Sequence, residues 1–156
     1  MQTFDAQEWA REIRKHKNPL VVAGEGCELI SLDGKPLVVY AADLAEALCC
    51  PVAATGNIFL ALQEQGRKVK TKKVWLAEMF RYLQDGWDEP LLEERPDLLL
   101  LIGYRPEMVQ GMVARTHDVS VAHLGPGRLA SAQLTMEETP LVEWKRSLDA
   151  LVAACK

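Results

Sequence analysis

Apolar residues follow two different rhythms along this chain, and the rhythms alternate. Leu20-Val21-Val22-Ala23, Pro51-Val52-Ala53-Ala54-Thr55, Leu98-Leu99-Leu100-Leu101-Ile102 and Val119-Ser120-Val121-Ala122-His123-Leu124 are short runs with little polar alternation. Such runs predict strands covered on both faces, as in a parallel sheet. Between them, apolar residues recur at helical spacing. Ala6, Trp9, Ala10 and Ile13 form one stripe, and Leu37, Tyr40, Ala41, Leu44 and Leu48 a second. Leu76, Met79, Phe80 and Leu83 form another, and Leu141, Trp144, Leu148 and Leu151 the last. Shorter helices are predicted over Ile58–Gln65 and Glu107–Arg115. Asp5 and Glu8 read as a capping box for the first helix, which Asn18-Pro19 ends. Asp33-Gly34-Lys35-Pro36 is a turn, with Pro36 placed to open a helix. The start of that helix, Leu37-Val38-Val39-Tyr40, also fits a strand. Gln133-Leu134-Thr135 adds a short edge strand, and Trp87 to Pro96, acidic and Pro-bearing, reads as a loop.

Strands alternating with helices predict an α/β fold: one Rossmann-like, doubly wound parallel sheet with helices on both faces, spanning 1–156 as a single domain. Every strand-to-helix loop then gathers at the carboxyl edge of the sheet, where such folds bind ligands. Those loops are Gly24-Glu25-Gly26, Thr55-Gly56-Asn57, Gly103-Tyr104-Arg105 and Gly125-Pro126-Gly127. Each carries glycine, which permits tight turning and close approach to a ligand.

Charge narrows the function classes. The formal net charge of −4 leaves no broad basic footprint for nucleic acid. The one basic cluster, Arg67-Lys68-Val69-Lys70-Thr71-Lys72-Lys73, has no interleaved aromatics and reads as a solvated loop. No apolar run is long enough to span a bilayer, and the N-terminus lacks signal-peptide character, so the expected location is the cytoplasm. The four cysteines, Cys27, Cys49, Cys50 and Cys155, lack C-x-x-C spacing and read as free thiols, most of them buried.

Familiar catalytic signatures fail position by position. Gly24-x-Gly26 begins a dinucleotide fingerprint, but Leu29 stands at its third glycine. Gly34-Lys35 is followed by Pro36, not the Ser or Thr of a phosphate loop. His16, His117 and His123 have no metal-ligand spacing and read as surface or locally bonded histidines. There is no G-x-S-x-G elbow. No catalytic residue and no metal ligand is therefore assigned.

The candidate cofactor-binding residues are Gly24, Gly26, Thr55, Gly56, Asn57, Gly103, Tyr104, Arg105 and Gly125. Thr55-Gly56-Asn57 offers a hydroxyl, a permissive backbone and an amide at a helix N-terminus, a place for a phosphate or other anion. Thr55 and Asn57 serve equally well as plain helix caps. Tyr104 and Arg105 suit stacking on and pairing with a nucleotide, or a partner-facing patch.

The order of these segments resembles a known family. A leading helix, Pro19-Leu20-Val21-Val22-Ala23-Gly24, Ala53-Ala54-Thr55-Gly56, Asp97-Leu98 to Gly103-Tyr104, and Glu143-Trp144 before a Leu-rich helix are similar to the epsilon subunit of the acetyl-CoA decarbonylase/synthase (CO dehydrogenase/acetyl-CoA synthase) complex. The resemblance covers nearly the whole chain. It implies the Rossmann-like fold also found in the central domain of thiamine-diphosphate enzymes. It also implies assembly with a large nickel–iron alpha subunit as an alpha-two, epsilon-two unit. The implied role is accessory: stabilising that subunit, or helping electrons reach FAD. Asn57 stands where the family has histidine, and Leu124-Gly125-Pro126-Gly127-Arg128 replaces an Asp-Arg-Tyr-like segment. Both departures fall at the carboxyl edge. FAD is the one cofactor candidate, and a free-standing flavin- or nucleotide-binding module is the competing reading. Trp9, Trp75, Trp87 and Trp144 are candidate interface anchors, although Trp9, Trp75 and Trp144 fall on helices whose cores they suit.

Overall fold

The computed structural model of the chain describes residues 4–87 and 94–156. Most of the loop expected from Trp87 to Pro96 lies outside these residues. The first helix, α1 (Ala6–Arg14), is capped by Asp5, whose Oδ1 accepts from the backbone N–H of Gln7 at 3.0 Å and of Glu8 at 3.2 Å. The chain then enters β1 (Pro19–Ala23), the four-residue helix α2 (Gly26–Leu29) and a small antiparallel hairpin of β2 (Ser31–Leu32) and β3 (Lys35–Pro36). Next come α3 (Leu37–Leu48), β4 (Val52–Ala54), α4 (Gly56–Glu64), β5 (Thr71–Lys73) and α5 (Leu76–Asp85). The remainder is β6 (Leu98–Ile102), α6 (Pro106–Ala114), β7 (Ser120–His123), β8 (Leu134–Thr135) and α7 (Leu141–Cys155).

Apart from the hairpin, all strands join one parallel sheet in the order β5-β4-β1-β6-β7-β8. Counting only its members along the chain, that order is 3-2-1-4-5-6, the Rossmann arrangement, with its topological switch between β1 and β6. The fold is thus Rossmann-like and doubly wound. Alternate strand residues serve two cores. Val21, Ala23, Val52, Leu98, Leu100 and Ile102 pack under α1, α3, α4 and α7, whereas Leu20, Val22, Ala53, Leu99 and Leu101 pack under α5 and α6. Burial on both faces explains why these strands read as unbroken apolar runs.

At the amino edge, the Asp97 carboxylate accepts from the backbone N–H groups of Lys17 and Asn18, both at 2.8 Å, and fixes the entry of β1 beside β6. Arg14 donates to the carbonyls of Ala154 and Lys156 at 3.0 and 3.2 Å, placing a cation at the negative end of α7.

The segment from Leu37 is helix, as its spacing predicts: extended Pro36 forms its N-cap, and Leu37 N–H bonds the carbonyl of Ile30 at 2.9 Å. Other sequence expectations need correction. The hairpin of β2 and β3 was not foreseen, because two-residue strands carry no periodicity. The basic stretch is not wholly a solvated loop. Thr71–Lys73 forms the edge strand β5, and Arg67 pairs with Asp43 and Glu46 of α3. Lysine on an outermost strand discourages pairing with another chain. Leu141 and Trp75, expected in cores, are both exposed, Trp75 at 68%. Each stands at the extreme start of its helix, where a side chain overhangs the packed face.

Candidate functional site

In a Rossmann sheet the ligand crevice opens at the switch between β1 and β6. Here the two loops leaving those strands are bonded to each other. Gly24 N–H donates to the Ile102 carbonyl at 2.8 Å, and Gly26 N–H donates to the Gly103 carbonyl at 2.9 Å. Cys27 N–H closes a turn onto the Gly24 carbonyl at 2.9 Å.

The glycines are explained by this closure. A Cβ on Gly24 would stand 2.6 Å from the Tyr104 ring, and one on Gly26 would stand 2.8 Å from the Gly103 carbonyl oxygen. Gly103 has φ +85, and a Cβ there would meet the Cys27 nitrogen at 2.8 Å. The permissive backbone thus serves a loop-to-loop seam and the seat of an aromatic ring.

Tyr104 is the plug. Its ring lies against Gly24, and the residue is 8% exposed, packed into the core beneath α5 and α6. This corrects the expectation of a free stacking surface: the ring face a nucleotide would need is already spent on the protein's own glycine turn. Burial, followed by the neighbouring Cys27, raises the Tyr104 pKa above the usual phenol range. Burial likewise pushes the Cys27 thiol up to about 12, against a backbone hydrogen bond at Gly24 that lowers it. Cys27 is therefore an inert, protonated thiol in this seam, its Sγ directed at the Ile102 carbonyl at 3.5 Å.

His123, at the end of β7, is fully buried. Its Nε2–H donates to the Tyr104 carbonyl at 2.8 Å, which anchors the β6 loop to the next strand. Burial lowers the imidazole pKa, opposed by backbone hydrogen bonding at Tyr104 and Gly127. Among the described residues, the buried Tyr104 hydroxyl and His123 Nδ1 find no well-formed hydrogen bond. His123 is thus locally bonded, as its isolation in the sequence suggests.

The Thr55-Gly56-Asn57 turn does open α4 at the carboxyl edge, but its polar groups are arranged against an anion. The Thr55 side chain makes no capping bond. The Asn57 amide reaches the Glu28 carboxylate at 3.4 and 3.5 Å. A carboxylate is therefore already in contact with the first turn of α4. Neither sequence alternative, anion cradle or simple cap, describes this arrangement. No residue pattern announced Glu28, because its partnership depends on α2 and α4 meeting in space.

Gly125 (φ +73) lies against Trp144, whose indole N–H donates to the Leu124 carbonyl at 2.8 Å. Arg105 is exposed at the start of α6. Of the nine candidates, Gly24, Gly26, Gly103 and Tyr104 come together at the switch point, and Asn57 and Gly125 are engaged nearby by Glu28 and Trp144. Thr55, Gly56 and Arg105 keep some access to solvent. Among the described residues, no group of three His, Cys, Asp or Glu side chains stands ready to hold a metal ion. No helix among them is long and apolar enough to cross a membrane. No family model and no curated protein matches the chain.

Proposed function

We propose that the chain is an accessory subunit of a CO dehydrogenase/acetyl-CoA decarbonylase-synthase complex, stabilising a large nickel–iron alpha subunit in an alpha-two, epsilon-two unit. It has no independent activity, and the metal chemistry belongs to the partner. Support comes first from the resemblance in segment order. In the structure Pro19 to Ala23 is β1 with Gly24 in its turn, Thr55-Gly56 opens α4, and Leu98 to Ile102 is β6, while Glu143-Trp144 lies inside α7 and not ahead of it.

The observation that carries the proposal is the switch point itself, where the Tyr104 ring packs against Gly24 and the Gly26–Gly103 bond joins the two loops. A Rossmann sheet whose ligand crevice is occupied by its own side chain is suited to a binding role played by its outer surface. The same observation weighs against a free-standing flavin or nucleotide module. Assisting electrons towards FAD stays within the proposal only with FAD held largely outside that crevice.

The test is anaerobic affinity purification from the native host, with mass spectrometry and metal analysis of what co-elutes. Recovery of a nickel–iron subunit in equal proportion supports the proposal. A chain recovered alone, without nickel or iron, refutes it.

A further inference from the structure

Beside the outermost strand β8, away from the switch point, lies a small cavity between α1 and α7. Its volume is about 80 Å³, room for about two or three waters. Phe4, just before α1, and Trp9 within it form an aromatic corner, with ring centroids 5.2 Å apart and planes at 62°. Trp144 and Met136 add to the apolar wall, and the Trp144 ring is fixed by its indole N–H on the Leu124 carbonyl. Among the described residues, Glu137 is the one charged side chain that lines this cavity. A wider cleft of about 530 Å³ adjoins it, sharing Trp9, Thr135 and Glu137, and Arg128 lines that cleft.

Glu137 is half-buried and Arg128 exposed, and among the described residues neither side chain has a hydrogen-bond or ion-pair partner. Two opposite charges therefore line one cleft without meeting, and a ligand carrying both charges would answer both. The ammonium end of such a ligand suits the aromatic wall best when methylated. A primary ammonium is compact and strongly hydrated, whereas methyl groups spread the charge over apolar surface that an aromatic ring attracts. A trimethylammonium head has four heavy atoms, in keeping with the small cavity. The positive ends of α1 and α7 lie nearby, but Asp5 caps the first and Glu143 stands in the first turn of the second. We infer that this site binds a small betaine, a methylated ammonium that also carries a carboxylate. Phe4 and Trp9 receive the methyl groups, Glu137 balances the positive charge, and Arg128 donates to the carboxylate. The inference goes beyond the accessory-subunit reading and stands without it.

The test is isothermal titration calorimetry of the full chain with trimethylglycine, tetramethylammonium and glycine. Calorimetry is preferred to melting temperature because osmolytes of this kind stabilise proteins generally, through exclusion from their surfaces. The expected result is saturable, one-to-one binding of trimethylglycine with a Kd below about 1 mM. Tetramethylammonium, which lacks the carboxylate, and glycine, which lacks the methyl groups, should each bind at least about tenfold more weakly. Glu137→Gln and Arg128→Gln should each weaken trimethylglycine about tenfold. Neither substitution removes a hydrogen bond or ion pair within the described fold. Lys68→Glu, in the amino-edge cleft with Asn18, should bind as the parent does. Absence of saturable heat up to about 10 mM trimethylglycine overturns the inference. So does equal affinity for glycine, or parental affinity in either the Glu137→Gln or the Arg128→Gln protein.

Discussion

Among the described residues, the buried Tyr104 hydroxyl has no hydrogen-bond partner. An unpaired buried hydroxyl costs about 1–3 kcal/mol, so removing it while keeping the ring is expected to help. Tyr104→Phe should raise unfolding free energy by about 1 kcal/mol, read from urea denaturation. A loss of stability would instead mean that the hydroxyl is bonded in solution, and that this corner of the switch point holds something polar. The adjoining histidine gives a pH signature. Burial keeps the folded-state pKa of His123 below the ordinary value of about 6.5. The unfolded chain therefore takes up the proton first as pH falls. Stability is full above the unfolded pKa and declines below it, until the folded pKa is reached, by at most about 1.4 kcal/mol per pH unit. His123→Gln retains an amide N–H to bond the Tyr104 carbonyl and removes the titration. The variant should lose less stability than the parent between pH 7 and pH 5. Parallel pH curves for the two would show that His123 is not the group responsible.

The elements differ in how plainly the sequence announces them. The sheet strands β1, β6 and β7 are legible because two-sided burial makes them continuously apolar, and α1, α5 and α7 because one-sided burial imposes helical spacing. The edge strand β5 is hidden: it has only one neighbour and is made of Thr71, Lys72 and Lys73. The candidate residues were located correctly at the carboxyl edge, since strand-to-helix loops must meet there. What each one touches was not legible. That Tyr104 folds onto Gly24, and Glu28 onto Asn57, depends on contacts between loops far apart in sequence. The end of α3 makes a local prediction of its own. Cys49 closes that helix in the left-handed conformation, at φ 53, a position that favours glycine. Its side chain is exposed, so little packing is lost on removing it. Cys49→Gly is expected to stabilise the protein by about 1 kcal/mol, measured as a shift in the denaturation midpoint at unchanged slope. A destabilised variant would show that the thiol contributes packing that outweighs the relieved backbone.

At the scale of the whole molecule, a common ligand-binding architecture has been retained while its crevice has been put to structural use. Strand order matches that of a dinucleotide-binding sheet, yet the glycine-bearing turns serve to bring loops together. The seam bonds Gly24 to Ile102 and Gly26 to Gly103, and Tyr104 occupies the space above. A nucleotide entering would have to displace an aromatic side chain from the core beneath α5 and α6, and removing a large buried aromatic costs about 3–5 kcal/mol. It would also meet the Glu28 carboxylate near the head of α4. A ligand at a hundred times its dissociation constant stabilises a protein by about 2.7 kcal/mol, readily seen as a rise in melting temperature. The expected outcome for the isolated chain is therefore no shift with FAD, NAD or ADP at millimolar concentration. A rise of several degrees with FAD, accompanied by altered Tyr104 fluorescence or ring signals in NMR, would show that the plug moves aside. It would turn the argument towards a flavin-binding module, because the crevice would then be a gated site and not a filled one.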